Sequence, residues 1–328
     1  MFKFLRRWMP IGISLLIFFA MLIPSFAESS DYQEHWASSE ISKWVEKGII
    51  LGYPDGAFRP DKPITRAEFI TVISRIFNFE EKHDKIFPDV PEGAWYADTV
   101  SKAVAAGIIE GDSSGKFNPE ANITRQEAAV VFYRAFHLKT ESTKAISRYV
   151  DASSIANWSK DAVSAMTEKG YISGRPGNIF APADNITRAE AVKMIDNITN
   201  ELKNAEGTYT GDVYGNLVVN TKDVVLKDMA IYGDLILAQG IGSGTVTLEG
   251  VFVNGRTVVL GGGEQSIILN NTNLKGTLLV IKYDGKVRIV AMGSTEASNI
   301  LLNSGANLEE DEGLTGAGFG NVEIIEVP

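Results

Sequence analysis

The sequence predicts a multidomain chain, with a mainly α region of three repeats followed by an all-β domain. A five-residue motif recurs at steps of 59 and 63 residues, each time ahead of a helical period. From Tyr209 onward that period stops, and short β-rich runs alternate with Gly, Asn and Asp. The predicted ranges are 1–27 for a signal peptide, 28–80, 86–139 and 147–203 for the repeats, and 207–328 for the β-rich domain.

The first 27 residues are predicted to form a secretory signal peptide. Basic residues open the segment, an apolar stretch covers 11–23, and Ser25-Phe26-Ala27 is a small-x-small cleavage motif. Because the apolar stretch is long, an uncleaved membrane anchor is the alternative. We expect an exported protein with no membrane segment after cleavage.

Charge and composition disfavour several classes of partner. The formal net charge is −10, and removal of residues 1–27 leaves 28 basic and 41 acidic residues, a net charge of −13. Nucleic acid selects basic faces, so it is not an expected partner. The chain has no cysteine, and its histidines (His35, His83 and His137) lack metal-ligand spacing and are predicted to lie at the surface. No metal or cofactor is predicted.

The repeated motif is typical of a helix start. In Ile64-Thr65-Arg66-Ala67-Glu68, Thr65 is placed as the N-cap and Glu68 three residues later completes a capping box. The motif returns at 123–127 and 186–190. Each copy is followed by apolar residues at the i, i+3, i+4 and i+7 positions of one buried helical face.

Capping explains the Thr and the Glu of the motif but not its arginine. A cation at a helix N-terminus opposes the macrodipole, at a cost of a few tenths of a kcal/mol. Three such arginines, Arg66, Arg125 and Arg188, therefore predict anionic partners. The alternative is that they pair with acidic neighbours such as Asp55.

Three further landmarks keep the register of the repeat. Each copy opens with a tryptophan, ends its first helix at a glycine, and has a second glycine before a turn that leads into Phe-x-Pro. A unit of about 55 residues is too small to bury its own core, so we expect the three copies to share one. The alternatives to ligand contact are core packing for the tryptophans and turn geometry for the second glycines. The landmarks are Trp36, Trp95 and Trp158; Gly48, Gly107 and Gly170; and Gly52, Gly111 and Gly174.

In this order the motifs resemble the S-layer homology (SLH) repeat over about 175 of the 328 residues. The resemblance implies a pseudo-threefold unit with grooves between neighbouring repeats. It also implies that the grooves bind a secondary cell-wall polysaccharide through a pyruvylated amino sugar, whose carboxylate meets the motif arginine. The planar guanidinium suits a carboxylate because it can donate two parallel hydrogen bonds.

The resemblance implies a carbohydrate-binding role for nine residues and a location at the wall or S-layer of a Gram-positive-type bacterium, where other surface-layer proteins are candidate partners. The first copy is closest to the family pattern. The second has Gln126 in the motif and Asp112 after its glycine, and the third has Arg175, so the grooves need not bind equally. The nine are Arg66, Arg125, Arg188, Gly52, Gly111, Gly174, Trp36, Trp95 and Trp158.

Glycines also indicate the architecture of the β-rich domain. Gly215, Gly233, Gly255 and Gly276 lie 18, 22 and 21 residues apart, an interval that suits one rung of a short parallel β-solenoid. A compact antiparallel sandwich is the alternative. A linker is predicted at 201–208, between the two parts of the chain.

A wall-tethered polysaccharide hydrolase or lyase, with its site on the solenoid, is the rival function. Its candidate acids are scattered, and the sequence does not show whether two of them meet at glycosidase distance. Acids in Gly-Asp turns are more often turn formers. The predicted function is therefore non-enzymatic anchoring, with the β-rich domain displayed at the surface. The acids are Asp212, Asp234, Glu249, Glu264 and Asp284.

Overall fold

A computed structural model describes residues 30–84, 87–283 and 285–325 of the chain, so the predicted signal peptide lies outside the described residues. The helical region contains six α-helices, two from each repeat. Their bounds are α1 Ser38–Glu46, α2 Arg66–Phe77, α3 Ala97–Ala105, α4 Arg125–Ala135, α5 Lys160–Glu168 and α6 Arg188–Thr199.

The three repeats close into a ring. The second helix of each repeat packs on the first helix of the next, so α2 contacts α3, α4 contacts α5, and α6 contacts α1. At the centre, three buried isoleucines form a closed triangle of backbone hydrogen bonds. Ile123 N donates to Ile64 O, Ile186 N to Ile123 O, and Ile64 N to Ile186 O, each at 3.1 Å. The predicted pseudo-threefold helical unit is confirmed.

The predicted helix ends are also confirmed. Each second helix begins with a complete capping box, in which the Thr hydroxyl accepts from the Glu N–H and the Glu carboxylate accepts from the Thr N–H. The three terminator glycines have φ between 70° and 72°, the left-handed conformation that ends a helix. The capping pairs are Thr65–Glu68, Thr124–Glu127 and Thr187–Glu190.

The β-rich domain is a parallel β-solenoid of about five turns. Every strand pair among the described residues is parallel, so the antiparallel sandwich is wrong. The strands are β1 Glu201–Lys203, β2 Gly207–Tyr209, β3 Leu217–Val219, β4 Val224–Ile231, β5 Leu235–Leu237, β6 Val246–Val253, β7 Thr257–Val259, β8 Ile268–Asn270, β9 Asn273–Leu274, β10 Leu278–Val280, β11 Val287–Met292, β12 Glu296–Leu302, β13 Ala306–Glu310 and β14 Gly318–Ile324.

The glycine interval marks successive rungs, as predicted. Gly233 N donates to Gly215 O at 2.9 Å, and Gly255 N donates to Gly233 O at 3.0 Å. A Cβ at Gly255 would overlap Gly233 O, and one at Gly276 would overlap Gly255 O. The rungs approach each other so closely here that only glycine fits.

The helical ring and the solenoid share one apolar core. The central residues of strands β3, β5, β7 and β10 point outward from the solenoid and join the apolar cluster of the helices. The segment predicted as a linker contains β1 and β2 instead, because its residues pair with the next rung. The outward-pointing residues are Val218, Ile236, Val258 and Leu279.

Polar side chains of the solenoid satisfy the carboxyl ends of all three second helices. Asn220 Nδ2 donates to Ile76 O at 3.0 Å, Arg256 Nη1 donates to His137 O at 2.6 Å, and Asn216 Nδ2 donates to Ile198 O at 2.7 Å. These carbonyls have no partner within a helix, so the contacts remove a buried polar cost.

The surface prediction for the histidines holds only for His83. His35 is half-buried beside Asp61, and His137 is half-buried where α4 meets the solenoid. Burial, together with the nearby Arg256 charge, lowers the pKa of His137 to about 4.

Candidate functional site

Arg66 links the first repeat to the second. Its Nε donates to Phe117 O at 2.9 Å, its Nη1 donates to Glu127 Oε1 at 2.8 Å, and its guanidinium lies over the Phe117 ring. The side chain remains 18% exposed, and its Nη2 makes no hydrogen bond to the described residues. Arg66 is therefore partly exposed at the junction between these two repeats.

Arg125 and Arg188 repeat this link at the other two junctions, but they are almost fully buried, at 5% and 3% exposed. Arg125 donates to Phe180 O at 2.8 Å and Ser173 O at 2.9 Å. Arg188 donates to Phe58 O at 2.8 Å and Leu51 O at 2.6 Å. Burial lowers the pKa of both groups below the usual arginine range, yet a guanidinium stays charged in a protein.

These contacts explain why a cation occupies the N-terminus of each second helix. The charge meets carbonyl oxygens and an aromatic face of the neighbouring repeat, which offset its unfavourable position in the helix dipole. Asp55 does not pair with any motif arginine, since it pairs with Arg59. The motif arginines thus hold the ring together.

The motif glutamates complete the ring of contacts. Glu127 pairs with Arg66 at 2.8 Å, and Glu190 lies 3.6 Å from Arg125. At the third junction, Tyr53 mediates the contact, because its hydroxyl donates to Glu68 at 2.8 Å and its ring lies 4.7 Å from the Arg188 guanidinium. Each motif glutamate therefore caps its own helix. It also contacts the motif arginine of the preceding repeat in the ring, directly or, at Glu68, through Tyr53.

The three junctions differ in the residue that follows the second glycine. Tyr53 is bracketed by Arg59 and Lys62, whose charges lie 4.6 and 4.4 Å from its ring centre. Asp112 accepts from neighbouring turn residues, which lowers its carboxyl pKa. Arg175 pairs with Asp184 and Glu190, so a second cation lies at the junction where Arg125 approaches Glu190.

The tryptophans lie at the surface, so the core-packing alternative is wrong. Trp36, Trp95 and Trp158 are 61%, 63% and 60% exposed. Gln126, the neighbour of Arg125, accepts from Ala156 N and Ser159 Oγ at 3.1 Å, and these two residues flank Trp158. Trp158 therefore lies near the end of α4 where Arg125 begins the helix.

The second glycines are packed against their own repeats. A Cβ at Gly52 would approach Ala57 O at 3.1 Å, one at Gly111 would approach the Phe87 ring at 2.8 Å, and one at Gly174 would approach the Tyr149 ring at 3.0 Å. A side chain at these positions would crowd a turn carbonyl at Gly52 and an aromatic ring at Gly111 and Gly174, so close packing favours glycine there.

One set of equivalent residues escaped the sequence analysis. The carboxylates of Asp31, Asp89 and Asp151 each accept hydrogen bonds from two consecutive backbone N–H groups of the Phe-x-Pro turn. They precede the repeat tryptophan by five, six and seven residues, and because this spacing varies, the three positions do not stand out as a repeat in the sequence. An Asp shortly before each tryptophan is the signal that could have found them.

Three of the candidate acids of the solenoid have structural contacts, whereas Glu264 is exposed. Asp212 accepts from Ala230 N, Asp234 pairs with Arg256 at 2.6 Å, and Glu249 pairs with Lys227 at 2.9 Å. Asp284 lies outside the described residues. Over residues 30–84, 87–283 and 285–325 the structure groups no three His, Cys, Asp or Glu side chains as metal ligands. No helix in those same ranges is long and apolar enough to span a bilayer.

Comparison with known proteins identifies the repeats. The chain matches the family model of the S-layer homology domain over residues 30–70, 86–129 and 148–192. It is 36% identical over 170 residues to an amylopullulanase of Thermoanaerobacterium thermosulfurigenes, a match that covers 51% of this chain and 9% of the relative. It is also 36% identical over 170 residues to exoglucanase XynX of Acetivibrio thermocellus, covering 51% and 16%.

A third relative extends slightly further along the chain. The surface-layer 125 kDa protein of Lysinibacillus sphaericus is 30% identical over 211 residues, 63% of this chain and 18% of the relative. The chain therefore spans less than a fifth of the length of each of these relatives. The segments 30–70, 86–129 and 148–192 therefore each match the S-layer homology domain, and the chain joins these three repeats to a parallel β-solenoid.

Proposed function

We propose that the helical ring anchors the protein non-covalently to the cell wall of a Gram-positive-type bacterium, by binding a secondary cell-wall polysaccharide in the grooves between repeats. The solenoid is then displayed at the surface. The relatives named above include a surface-layer protein, which supports a place in the cell envelope. In this role the protein binds and does not catalyse.

The observation that carries the proposal is the threefold exposure of tryptophan. A tryptophan is usually well buried, and an isolated ring in water costs free energy. This chain keeps three of them about 60% exposed at equivalent positions. Aromatic side chains in open clefts provide flat apolar surfaces for ligands, and sugar rings have matching apolar faces.

The arginines take different roles in this proposal. Arg66 is partly exposed and would receive an acidic substituent, such as the carboxylate of a pyruvylated amino sugar, on its free Nη2. Arg125 and Arg188 are buried and would shape their grooves from behind, as would Gly52, Gly111 and Gly174. The three tryptophans would make the direct contacts with the sugar.

Co-sedimentation of the intact protein with purified wall sacculi tests this proposal. We expect binding to untreated sacculi and strongly reduced binding after mild acid removal of ketal-linked pyruvate. Equal binding to both would contradict the pyruvyl assignment, and binding to neither would contradict anchoring. The whole chain is needed, because separating the parts would expose the apolar core that they share.

A further inference from the structure

A polar cavity lies at the end of the helical ring that is opposite to the tryptophans. It has a volume of about 330 Å³ and lies where α1 and α2 end against the first rungs of the solenoid. Arg66 and Arg75 stand nine residues apart on α2, which is about 13 Å along the helix axis. This cavity is therefore separate from the proposed wall-binding grooves.

Two cations line the cavity without a carboxylate partner. Lys47 Nζ donates to Leu202 O at 3.1 Å, and Arg75 Nη1 donates to Ile49 O at 3.2 Å. Among the residues that the structure describes, neither makes an ion pair and no acid lines the cavity. Glu201 acts on Lys47 only through space, since its own ion pair is with Lys203 at 3.5 Å.

The pseudo-threefold repeat supplies an internal comparison. Arg134 is the equivalent of Arg75 in the second repeat, and its Nη2 pairs with Glu110 at 3.2 Å. At the position of Glu110 the first repeat has Leu51, which is 45% exposed. The first repeat thus keeps the arginine but lacks the acid that neutralises it.

Neutral polar side chains surround the two cations. Asn78, Asn204 and Thr221 line the cavity together with buried Asn220. Amide and hydroxyl groups of this kind donate to and accept from hydroxyl groups. Burial lowers the pKa of Lys47 and of Arg75, because it partly desolvates their charged forms.

We propose that this cavity, lined by Lys47, Arg75 and the three asparagines, binds a small oxyanion-bearing molecule of monosaccharide size, such as a sugar phosphate or a uronic acid. The two cations meet the phosphate or carboxylate. The amide oxygens accept from the sugar hydroxyls, because the amide nitrogens donate to backbone carbonyls. The volume falls at the lower end of ordinary ligand pockets, which suits one sugar unit. The site does not depend on the wall-binding grooves.

Isothermal titration of the full-length protein tests the site with three probes: glucose 6-phosphate, glucuronate and glucose. We expect heat from at least one charged probe, weaker binding as salt rises, and no binding of glucose. The stronger charged probe identifies whether the site favours phosphate or carboxylate. Glucose binding as tight as that of the charged probes, or no binding of either charged probe, would overturn the proposal.

Variants locate the binding. Lys47→Ala should weaken binding of the charged probe about tenfold, the effect of one lost charge-assisted contact. Leu51→Glu should do the same while keeping both cations, because it supplies Arg75 with the acid that Arg134 has. Arg134→Gln is the matched control and should bind as the unmodified protein does. Unchanged affinity in both Lys47→Ala and Leu51→Glu would overturn the assignment.

Discussion

Arg188 Nε donates a hydrogen bond of 2.8 Å to Phe58 O, 130 residues earlier in the chain, and so closes the ring of three repeats. The same contact joins Arg66 to Phe117 and Arg125 to Phe180. The ring is thus held by side chains that each domain extends to its neighbour. Each junction is therefore built from two repeats at once.

We predict that Arg188→Ala destabilises the protein by about 2–4 kcal/mol, because it removes the hydrogen bonds that Arg188 donates to Phe58 O and Leu51 O in a buried junction. Arg188→Lys should recover little, since an ammonium lacks the fork that reaches both carbonyls. Urea unfolding measures both changes. Arg59→Ala is the control, because its ion pair with Asp55 is exposed and should contribute little to stability. A loss at Arg188 no larger than the control's would contradict the closing role.

The glycine column predicts a steric limit in the solenoid. Gly255→Ala places a methyl group onto Gly233 O, so we expect about 2–3 kcal/mol of destabilisation by the forced separation of two rungs. Thermal unfolding followed by circular dichroism measures it. Gly93→Ala is the matched control, because its Cβ would meet nothing within 4 Å. Similar melting temperatures for the two variants would show that the rungs can move apart freely.

His137 predicts a pH dependence of stability. Its pKa is about 4 in the folded protein and about 6.5 in an unfolded chain, so the unfolded state takes up a proton first as pH falls. The contribution of this residue is therefore complete above pH 6.5 and declines between pH 6.5 and 4, by at most about 3 kcal/mol.

Unfolding free energies measured from pH 7 to 4 test this dependence. His137→Asn should show a shallower decline than the unmodified protein. Asparagine suits the site because His137 has φ of 45°, a left-handed conformation that asparagine tolerates. Parallel curves for the two proteins would rule out His137 as the source.

Local features of the fold were predictable because their causes lie close together in the chain. Thr65 and Glu68 cap the same helix, and the spacing of Gly233 and Gly255 is the length of a rung. These short-range patterns predicted the helical repeats, the ring through its family resemblance, and the parallel solenoid.

The internal partners of the motif arginines could not be predicted in the same way. They are backbone carbonyls of the next repeat, and every residue type carries a carbonyl. The junction between ring and solenoid was equally hidden, since Arg256 and His137 lie 119 residues apart. The sequence predicted an anionic partner for each motif arginine. For Arg66 that partner is Glu127, inside the protein, whereas Arg188 donates its hydrogen bonds to backbone carbonyls.

The most direct test of wall anchoring is sacculus binding by a variant that carries Trp36→Ala, Trp95→Ala and Trp158→Ala. The three side chains are exposed, so the melting temperature should change little, and Tyr283→Ala serves as an exposed aromatic control on the solenoid. We predict that the triple variant binds sacculi at least about tenfold more weakly, since stacking surfaces are lost in all three grooves. Binding equal to that of the Tyr283→Ala control, in a variant that remains folded, would contradict anchoring through the inter-repeat grooves.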